Sequence, residues 1–295
     1  MNMENSNKAS TRDYSSISPS AYSLVLVKGL TDIPYMRKAA EQMLHPEPYT
    51  PDFTNNDFSF WARVVHFESR YWSIDQLLAD IPAKNILELS SGFSFRGLSR
   101  VKESGMHYID TDLPDVIKDK KRFLPLLEAG NPAENSMLET LALNALDEGK
   151  FNELVNHFPA NEPIVIVNEG LLMYLSLAEK EQLFQIIHRI LTIRGGYWIT
   201  ADIYIKREED PETTRRSDSL AKFFEEHKIT DQMFDSFEHA EQLFKNSGFI
   251  IDKIAETDYK KLTAIDPMLK CASQEQLAVI KKGGKIRATW RLRVK

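Results

Sequence analysis

The stretch KNILELSSGFSFRGLSRVKESGMHYIDTDL, Lys84–Leu113, decides the fold that the sequence predicts. Its apolar run Asn85–Leu89 is typical of a buried parallel strand, and the small residues that follow it predict a tight turn. Phe93–Glu103 then predicts a crossover helix, and Met106–Ile109 predicts a second strand. A strand, a turn, a helix and a strand in this order predict a doubly wound α/β sheet.

The turn and the acids after the second strand predict a nucleoside-type ligand. Ser90 and Gly92 belong to a small-residue turn that a ligand can approach closely. Asp110 and Asp112 follow about 20 residues later, at a strand end where an acid suits a ribose diol. A single glycine without a Gly-Lys-Ser/Thr loop argues against phosphates, so S-adenosylmethionine, which has a ribose but no phosphate, fits best. The alternative is a βαβ unit without a ligand, because a fold does not give a function by itself.

The composition excludes several classes of protein. The chain has 295 residues, a net charge of −6 and no dense basic block, which argues against a nucleic-acid surface. One cysteine, Cys271, excludes an intramolecular disulfide, and the 7 histidines show no metal-ligand spacing. Because no apolar run reaches about 18 residues and no apolar signal core begins the chain, we expect a cytoplasmic protein without membrane spans.

Two parts of the chain are predicted. Residues 1–80 predict a helical cap and residues 81–295 the α/β domain. The last helix of the cap, Phe58–Ile81, is rich in aromatic residues, which either line a pocket or pack against the sheet. In the α/β domain, the basic residues Lys118, Lys120, Lys121 and Arg122 of the predicted helix Asp115–Ala129 indicate a solvated face.

The rest of the domain continues the alternation of strands and helices. Further strands are predicted at Met137–Leu143, Pro163–Val167, Tyr197–Tyr204, Phe249–Ile254 and Ile286–Val294. The highly charged segment 205–235 interrupts this alternation and predicts an insertion. It either decorates the surface or closes over the substrate as a lid.

Three blocks carry a resemblance to a known family. ILELSSGFSFRGLSR, YIDTDLPDVIKDKK and IVNEGLLMYLS occur in this order and spacing, and together they resemble the leucine carboxyl methyltransferase family, including its bacterial polyketide O-methyltransferase-like branch. The resemblance covers roughly residues 22–206. It implies a class I S-adenosylmethionine-dependent methyltransferase, a Rossmann-like, mostly parallel sheet with an antiparallel C-terminal hairpin.

The resemblance also implies roles for residues at the strand ends. It favours Asp112, with Leu113 beside it, over Asp110 for the ribose, and it places Asn144 and Ala145 beside the adenine. The family typically has Asp-Leu at these last two positions, but an asparagine oxygen can still accept from the adenine amine. Glu169 corresponds to a contact near the methionine ammonium or the sulfonium, although it is otherwise an N-cap or a surface acid.

Arginines are implied for the rest of the cofactor. Arg63 resembles the arginine that holds the cofactor's carboxylate, a task for which a bidentate guanidinium is suited. Arg96 matches the recurrent arginine after the glycine turn, but its usual aspartate partner is Ser94 here. Tyr22 falls where the eukaryotic enzymes carry a cofactor-binding lysine, so we expect that contact to be missing.

Three further side chains are candidates with two interpretations each. Glu88 either accepts backbone N–H groups of the next turn or contacts the ligand. Tyr174 either faces the reacting groups or packs in the interior. His66, three residues from Arg63 on the same helix, is either a general base or a solvent-facing or core histidine.

These features predict methyl transfer to an oxygen of a small molecule or a peptide terminus. A carboxylate acceptor is favoured because it is ionised at pH 7 and needs no base, whereas a phenol does. The alternatives are a phenolic oxygen or a nitrogen as the acceptor, and a protein that binds S-adenosylmethionine without transferring methyl.

Overall fold

The computed structural model describes residues 18–42, 56–206, 222, 225–282 and 284–295. Within them lies a seven-stranded sheet with the strand order β3-β2-β1-β4-β5-β7-β6. The strands are β1 (Asn85–Leu89), β2 (His107–Asp112), β3 (Met137–Ala142), β4 (Ile164–Asn168), β5 (Gly196–Tyr204), β6 (Phe249–Ile254) and β7 (Arg287–Val294).

Helices cover both faces of this sheet. They are α1 (Ser18–Lys28), α2 (Met36–Glu41), α3 (Phe58–Ala79), α4 (Arg96–Arg100), α5 (Pro114–Phe123), α6 (Glu148–Val155), α7 (Leu177–Arg194), α8 (Phe237–Asn246), α9 (Ile265–Cys271) and α10 (Gln274–Lys282). Helix α7 begins with the capping box that the sequence contains, in which Ser176 and Glu179 bond each other's backbone N–H.

The pairing of the strands confirms the expected α/β class. Strands β1 to β5 run parallel, and β7 runs antiparallel to both β5 and β6. The order reverses at β1, which lies between β2 and β4. Ligands of such sheets bind at the carboxyl ends of the strands near this reversal, so the ends of β1, β2 and β4 are the place to search.

One face of the sheet is covered by α3. Ile74, Leu77 and Leu78 from the second half of this helix pack in one cluster with Ile86 and Val165 of the sheet. Helix–sheet packing therefore accounts for this part of the helix. The division into residues 1–80 and 81–295 stays a prediction, and α3 contacts both α1 and the sheet.

Helix α1 lies over the glycine turn after β1. A Cβ placed on Gly92 would lie 3.6 Å from the Cβ of Ala21. The ring centroids of Tyr22 and Phe93 are 4.6 Å apart, and the Tyr22 hydroxyl donates a hydrogen bond to Asp119 of α5. The first described helix therefore borders the predicted cofactor site.

The structure differs from the sequence prediction in several elements. The crossover helix spans only Arg96–Arg100, and β2 extends to Asp112, so that Asp110 lies inside the strand. The expectation of a solvated face on α5 is wrong for Lys120, which is completely buried. Its ammonium lies 3.0 Å from Asp110 Oδ2 and donates to Ser91. A charged residue on one helix turn is buried here because an acid on the neighbouring strand neutralises it.

Two predicted segments fall largely or partly outside the described residues. Most of residues 45–57, where Pro46, Pro48 and Pro51 predict an extended loop, does so, as does most of the proposed lid at residues 205–235. Among the helices that are described, none has the length and apolar character that crossing a membrane requires.

Candidate cofactor site

The glycine turn and the end of β2 meet directly. Gly92 N donates to Asp112 Oδ2 over 2.7 Å, and Leu113 N donates to Asp112 Oδ1 over the same distance. Ser90 and Gly92 both have left-handed backbones, with φ of 49° and 50°. The turn therefore bends sharply enough to bring its N–H groups to the acid of the next strand.

Asp112 has the properties that a ribose contact needs. Its side chain is half-buried, and burial raises the pKa of its carboxyl while the N–H groups of Gly92 and Leu113 oppose the shift. A carboxylate has about four lone-pair sites, and the two backbone bonds use about half of them. The remaining capacity fits the two hydroxyl groups of a diol.

Asn144 and Ala145 follow β3 at the same edge of the sheet. Asn144 Oδ1 accepts a hydrogen bond of 3.0 Å from Leu146 N, and Ala145 is buried. The oxygen that the sequence assigns to the adenine amine therefore already has one partner. Its second lone pair remains for a ligand.

Glu169, directly after β4, is surrounded by three cations. Lys28 Nζ lies 2.5 Å from its Oε1, Arg70 Nε 3.0 Å from the same atom, and Arg96 Nη2 3.2 Å from its Oε2. Only 5% of the Glu169 side chain is exposed. Burial alone would raise the pKa of this carboxyl, but the three cations, with Lys28 the strongest, hold it well below its usual range.

Glu88 and Arg96 form the floor of this cluster. Both side chains are completely buried, and they form an ion pair with each other. Glu88 also accepts from Tyr108 Oη over 2.6 Å, and Arg96 Nε lies 2.8 Å from Asp75 of α3. Among the described residues, side chains rather than backbone N–H groups bond the Glu88 carboxyl, which has no exposed surface; its contact with a ligand stays a prediction.

The contacts of Arg96 are likewise with acids. Its guanidinium has no exposed surface and positions the three acids around it, while its role at the cofactor stays a prediction. The loss of its usual aspartate partner to Ser94 has little consequence, because Asp75, Glu88 and Glu169 supply the acids. Three cations and three acids balance in this cluster, which satisfies the rule that buried charges are paired.

Asp202 in β5 shapes the turn that carries Glu169. Its two oxygens accept from the backbone N–H groups of Gly170, over 2.6 Å, and of Leu171, over 2.7 Å. It also accepts from the side chain of Asn168 over 2.7 Å. A buried acid bonded to successive N–H groups holds the turn rigidly, so that Glu169 faces the three cations.

His66 meets Tyr204 at the carboxyl end of β5. A hydrogen bond of 2.8 Å joins His66 Nε2 and Tyr204 Oη, and Arg70 Nη1 donates to the same hydroxyl over 3.3 Å. Tyr174 packs against the cluster of apolar residues that contains Tyr204. The sequence singled out His66 and Tyr174 but treated Tyr204 only as part of a strand.

Arg70, and not only Arg63, lies on the face of α3 that turns towards the site. The two arginines are seven residues apart, which is two helical turns or about 10 Å along the axis. Arg63 is half-buried, whereas Arg70 is buried and contacts Glu169. Sequence reasoning also missed Lys28. This residue supplies a cation from α1, the helix on which Tyr22 stands in place of the lysine of the eukaryotic enzymes. Helical periodicity predicts which face of α3 is turned towards the site. It does not predict which turn of the helix lies at the ends of the strands.

Comparison with known proteins gives a family and a fold. The sequence profile of the leucine carboxyl methyltransferase family matches residues 9–188. No curated protein matches the sequence. A solved DUF574 family protein from Streptomyces avermitilis is 13% identical, with a TM-score of 0.52, and the alignment covers 94% of this chain and 97% of that one.

Two further solved structures are similar at a lower level. A TehB-like SAM-dependent methyltransferase from Corynebacterium glutamicum is 14% identical with a TM-score of 0.42, and the alignment covers 76% of this chain and 87% of that one. LaPhzM is 13% identical with a TM-score of 0.47. The alignment covers 79% of this chain but only 58% of LaPhzM. At 13% identity, the likeness to the DUF574 family protein shows the fold alone.

The family profile covers more than half of the 295 residues, including the glycine turn after β1 and the acid at the end of β2. The chain belongs to the leucine carboxyl methyltransferase family of class I S-adenosylmethionine-dependent methyltransferases.

Proposed function

We propose that the protein transfers methyl from S-adenosylmethionine to a carboxylate oxygen of a small molecule or a peptide terminus. The observation that carries this proposal is the juxtaposition of Asp112 and the glycine turn with the Glu169 cluster at one edge of the sheet. Asp112 with the glycine turn suits a ribose, and the Glu169 cluster suits an amino-acid group. The carboxylate acceptor follows the chemistry that the family's name describes.

The cofactor would be held by residues from three parts of the chain. Asp112 takes the ribose diol, the backbone of Ser90 and Gly92 borders the same ligand, and Asn144 and Ala145 lie at the adenine. Glu169 is a partner for the methionine ammonium, while Lys28 and Arg70 are cations for its carboxylate. S-adenosylmethionine supplies a methyl group on a positively charged sulfur.

A carboxylate acceptor suits the side chains near the end of β5. Its usual pKa of about 4 leaves it ionised at pH 7, so no residue has to remove a proton. Tyr204 and Arg70 offer hydrogen-bond donors, and donors suit an anion better than a neutral amine. His66 is bonded to Tyr204 and has the task of orienting this hydroxyl rather than of acting as a base.

The cap contributes by excluding water. Helix α1 covers the glycine turn, and Phe60, Val64 and Phe67 of α3 form an apolar cluster with Val27 of α1. An apolar cover of this kind strengthens the ion pairs beneath it, because the local dielectric constant falls. To promote methyl transfer, the protein then needs only to position the two reactants and to exclude water from them.

The chemical stability of the product tests the proposal. The protein is incubated with methyl-labelled S-adenosylmethionine and a panel of carboxylic acids, phenols, amines, and peptides with free or amidated C-termini. We expect label in products that release methanol in mild alkali, as esters do, and none in the amidated peptides. Label that survives alkali, as in ethers and methylamines, would overturn the carboxylate assignment.

A matched pair of variants serves as the control. Asp112→Asn should abolish most of the labelling, whereas Asp115→Asn, which changes an exposed acid of α5, should leave it intact. If both variants label acceptors as the wild type does, the proposed cofactor site is wrong.

A further inference from the structure

Arg287 is the first residue of β7 and lies at the same sheet edge as the proposed site. Its Cα pairs with that of Tyr204, the last residue of β5. Paired residues of neighbouring antiparallel strands point to the same face, so Arg287 and Tyr204 both face α3. Arg287 Nη2 reaches α3 by donating to Ser69 Oγ over 3.2 Å.

The partners of Arg287 are unusual for a guanidinium in this protein. Among the residues that the structure describes, its guanidinium bonds only hydroxyl groups, those of Ser69 and, over 2.8 Å, of Thr289. Among the described residues, no carboxylate lies within 4 Å of it. The buried Arg70 and Arg96 each pair with an acid, and Arg291 on the same strand pairs with Asp252 at 2.6 Å.

The electrostatic surroundings of Arg287 make this arrangement costly. Burial lowers the pKa of Arg287, and Arg70 adds to the shift, while Tyr204, Glu169 and Asp202 oppose it. A guanidinium nevertheless remains charged at pH 7. Described partners use two of its five N–H groups, so a charged and half-buried donor fork faces the site with no counter-charge in the described part of the chain.

We propose that Arg287 is the anchor for the carboxylate of the methyl acceptor. This inference rests on the proposed function and adds the residue that selects an anionic acceptor. The planar fork matches a carboxylate in shape and charge, which is the geometry in which arginine binds such groups most strongly. Ser69 and Thr289 hold the fork in place from α3 and β7.

An anchor of this kind also binds the substrate more strongly than the product. Methyl transfer forms a carbon–oxygen bond at the carboxylate and breaks the donor's carbon–sulfur bond, whose electron pair stays on sulfur, and no proton moves. The ester has no net charge, so the ion pair with Arg287 is lost as the product forms. The same contact that binds the acid therefore releases its ester.

Binding of fragments to the full chain tests the anchor without requiring the natural acceptor. The probes are benzoate, phenylacetate and hexanoate with their methyl esters, measured at millimolar concentration by ligand-observed NMR in the presence of S-adenosylhomocysteine. We expect at least one acid to bind the wild type, and its ester to bind at least about tenfold more weakly.

Variants at two nearby positions identify the residue. Arg287→Gln should weaken binding of the acid at least about tenfold, and Arg287→Lys should weaken it less because the charge remains. Lys285→Gln removes the same charge from an exposed position two residues away and should have no effect. The Arg287→Lys protein also provides the comparison if Arg287→Gln does not fold.

Three results would overturn the anchor: no acid binds the wild type, the ester binds as tightly as the acid, or Arg287→Gln and Arg287→Lys bind the acid like the wild type. None of these results concerns the alkali test of the product. A product that is an ester, made equally well by the Arg287 variants, would refute the anchor alone. An alkali-stable product would refute the proposed function and, with it, the role of Arg287 towards the methyl acceptor, even if the protein binds acids at Arg287.

Discussion

Arg96 Nη2 lies 3.2 Å from Glu169 Oε2, and this contact joins two elements that are 73 residues apart in the sequence. Through its other nitrogens the same guanidinium holds Asp75 of α3 and Glu88 of β1. One buried arginine therefore fixes the positions of α3, β1 and the turn after β4. These three elements border the proposed cofactor site.

Removing the charge of Glu169 should destabilise the protein strongly. Glu169→Gln leaves Lys28 and Arg70 buried without their acid, and breaking a buried ion pair in this way costs about 3–5 kcal/mol. Glu148→Gln is the matched control, because Glu148 pairs with Arg189 on the surface, where such pairs contribute about 0–1 kcal/mol. Urea unfolding of both variants measures the difference; equal midpoints would contradict the role of the cluster.

The same carboxyl should make stability depend on acid. Because the pKa of Glu169 is lower in the folded state than in the unfolded chain, its contribution is fully present above the unfolded value of about 4.3 and is lost as the pH falls below it. Between about pH 5 and pH 3 the wild type should therefore lose more unfolding free energy than Glu169→Gln. Parallel loss in the two proteins would show that other acids cause it.

Asp112→Asn should weaken binding of S-adenosylhomocysteine by about 1.5–3 kcal/mol, the range for hydrogen bonds to a charged group. An amide keeps one acceptor oxygen but loses the charge and the second acceptor, so the diol is only partly satisfied. Calorimetry with Asp115→Asn as the control measures the loss, and thermal unfolding shows whether the turn at Gly92 has moved. Unchanged affinity would exclude Asp112 from the ribose contact.

The two arginines of α3 can be separated by two ligands. Arg70→Lys should weaken S-adenosylhomocysteine more than methylthioadenosine, which lacks the amino-acid group, because an ammonium lacks the planar fork whose separate nitrogens bond Glu169 and Tyr204. Arg63→Lys should show the same selectivity if the role implied by the family resemblance is correct. Because Arg70 contacts Glu169, we expect its variant to show the larger effect. Equal weakening of both ligands would indicate that the arginine only holds the cap.

Because of Lys180, the free energy of unfolding should rise as the pH increases into mild alkali. Burial and the neighbouring charge of Lys206 lower its pKa to about 8. Since the unfolded chain keeps this proton up to a pH of about 10.4, stability rises between these values, by up to about 3 kcal/mol. The neutral amine can still donate to Leu175 O and Gln232 O.

The alkaline effect of Lys180 is measured against two variants. The rise in unfolding free energy from pH 8 to pH 10 should be smaller in Lys180→Met than in the wild type. Lys150→Met, at an exposed position of α6, should retain it. The same slope in all three proteins would show that Lys180 does not titrate in this range.

The sheet could be predicted from the sequence because its signals are local. The apolar run Asn85–Leu89 and the acid at the end of β2 depend on residues within one βαβ unit, and the structure places both as expected. The capping box at Ser176 is equally local. The predicted crossover helix is too long, because the residues after Arg100 form hydrogen-bonded turns and the Val101 carbonyl accepts from Ala133, a residue distant in the sequence.

The Glu169 cluster could not be predicted because its charges come from distant parts of the chain. Lys28 lies 141 residues from Glu169 and Arg70 lies 99 residues from it. A cation on a helix is indistinguishable from a solvated one until the helix is placed on the sheet. The burial of Lys120 was misjudged for the same reason.

The position of β7 between β5 and β6 has a consequence for synthesis on the ribosome. Strand β6 is made first, yet β7 is its neighbour in the sheet and β7 alone joins it to β5. The 32 residues between β6 and β7 take roughly 2–6 s to translate. During this time a finished β6 lacks the strand with which it pairs in the sheet. The strands that border the cofactor site are complete before this delay, and Arg287 arrives after it. A nascent chain would therefore acquire the means to bind its methyl donor before the means to select an acceptor.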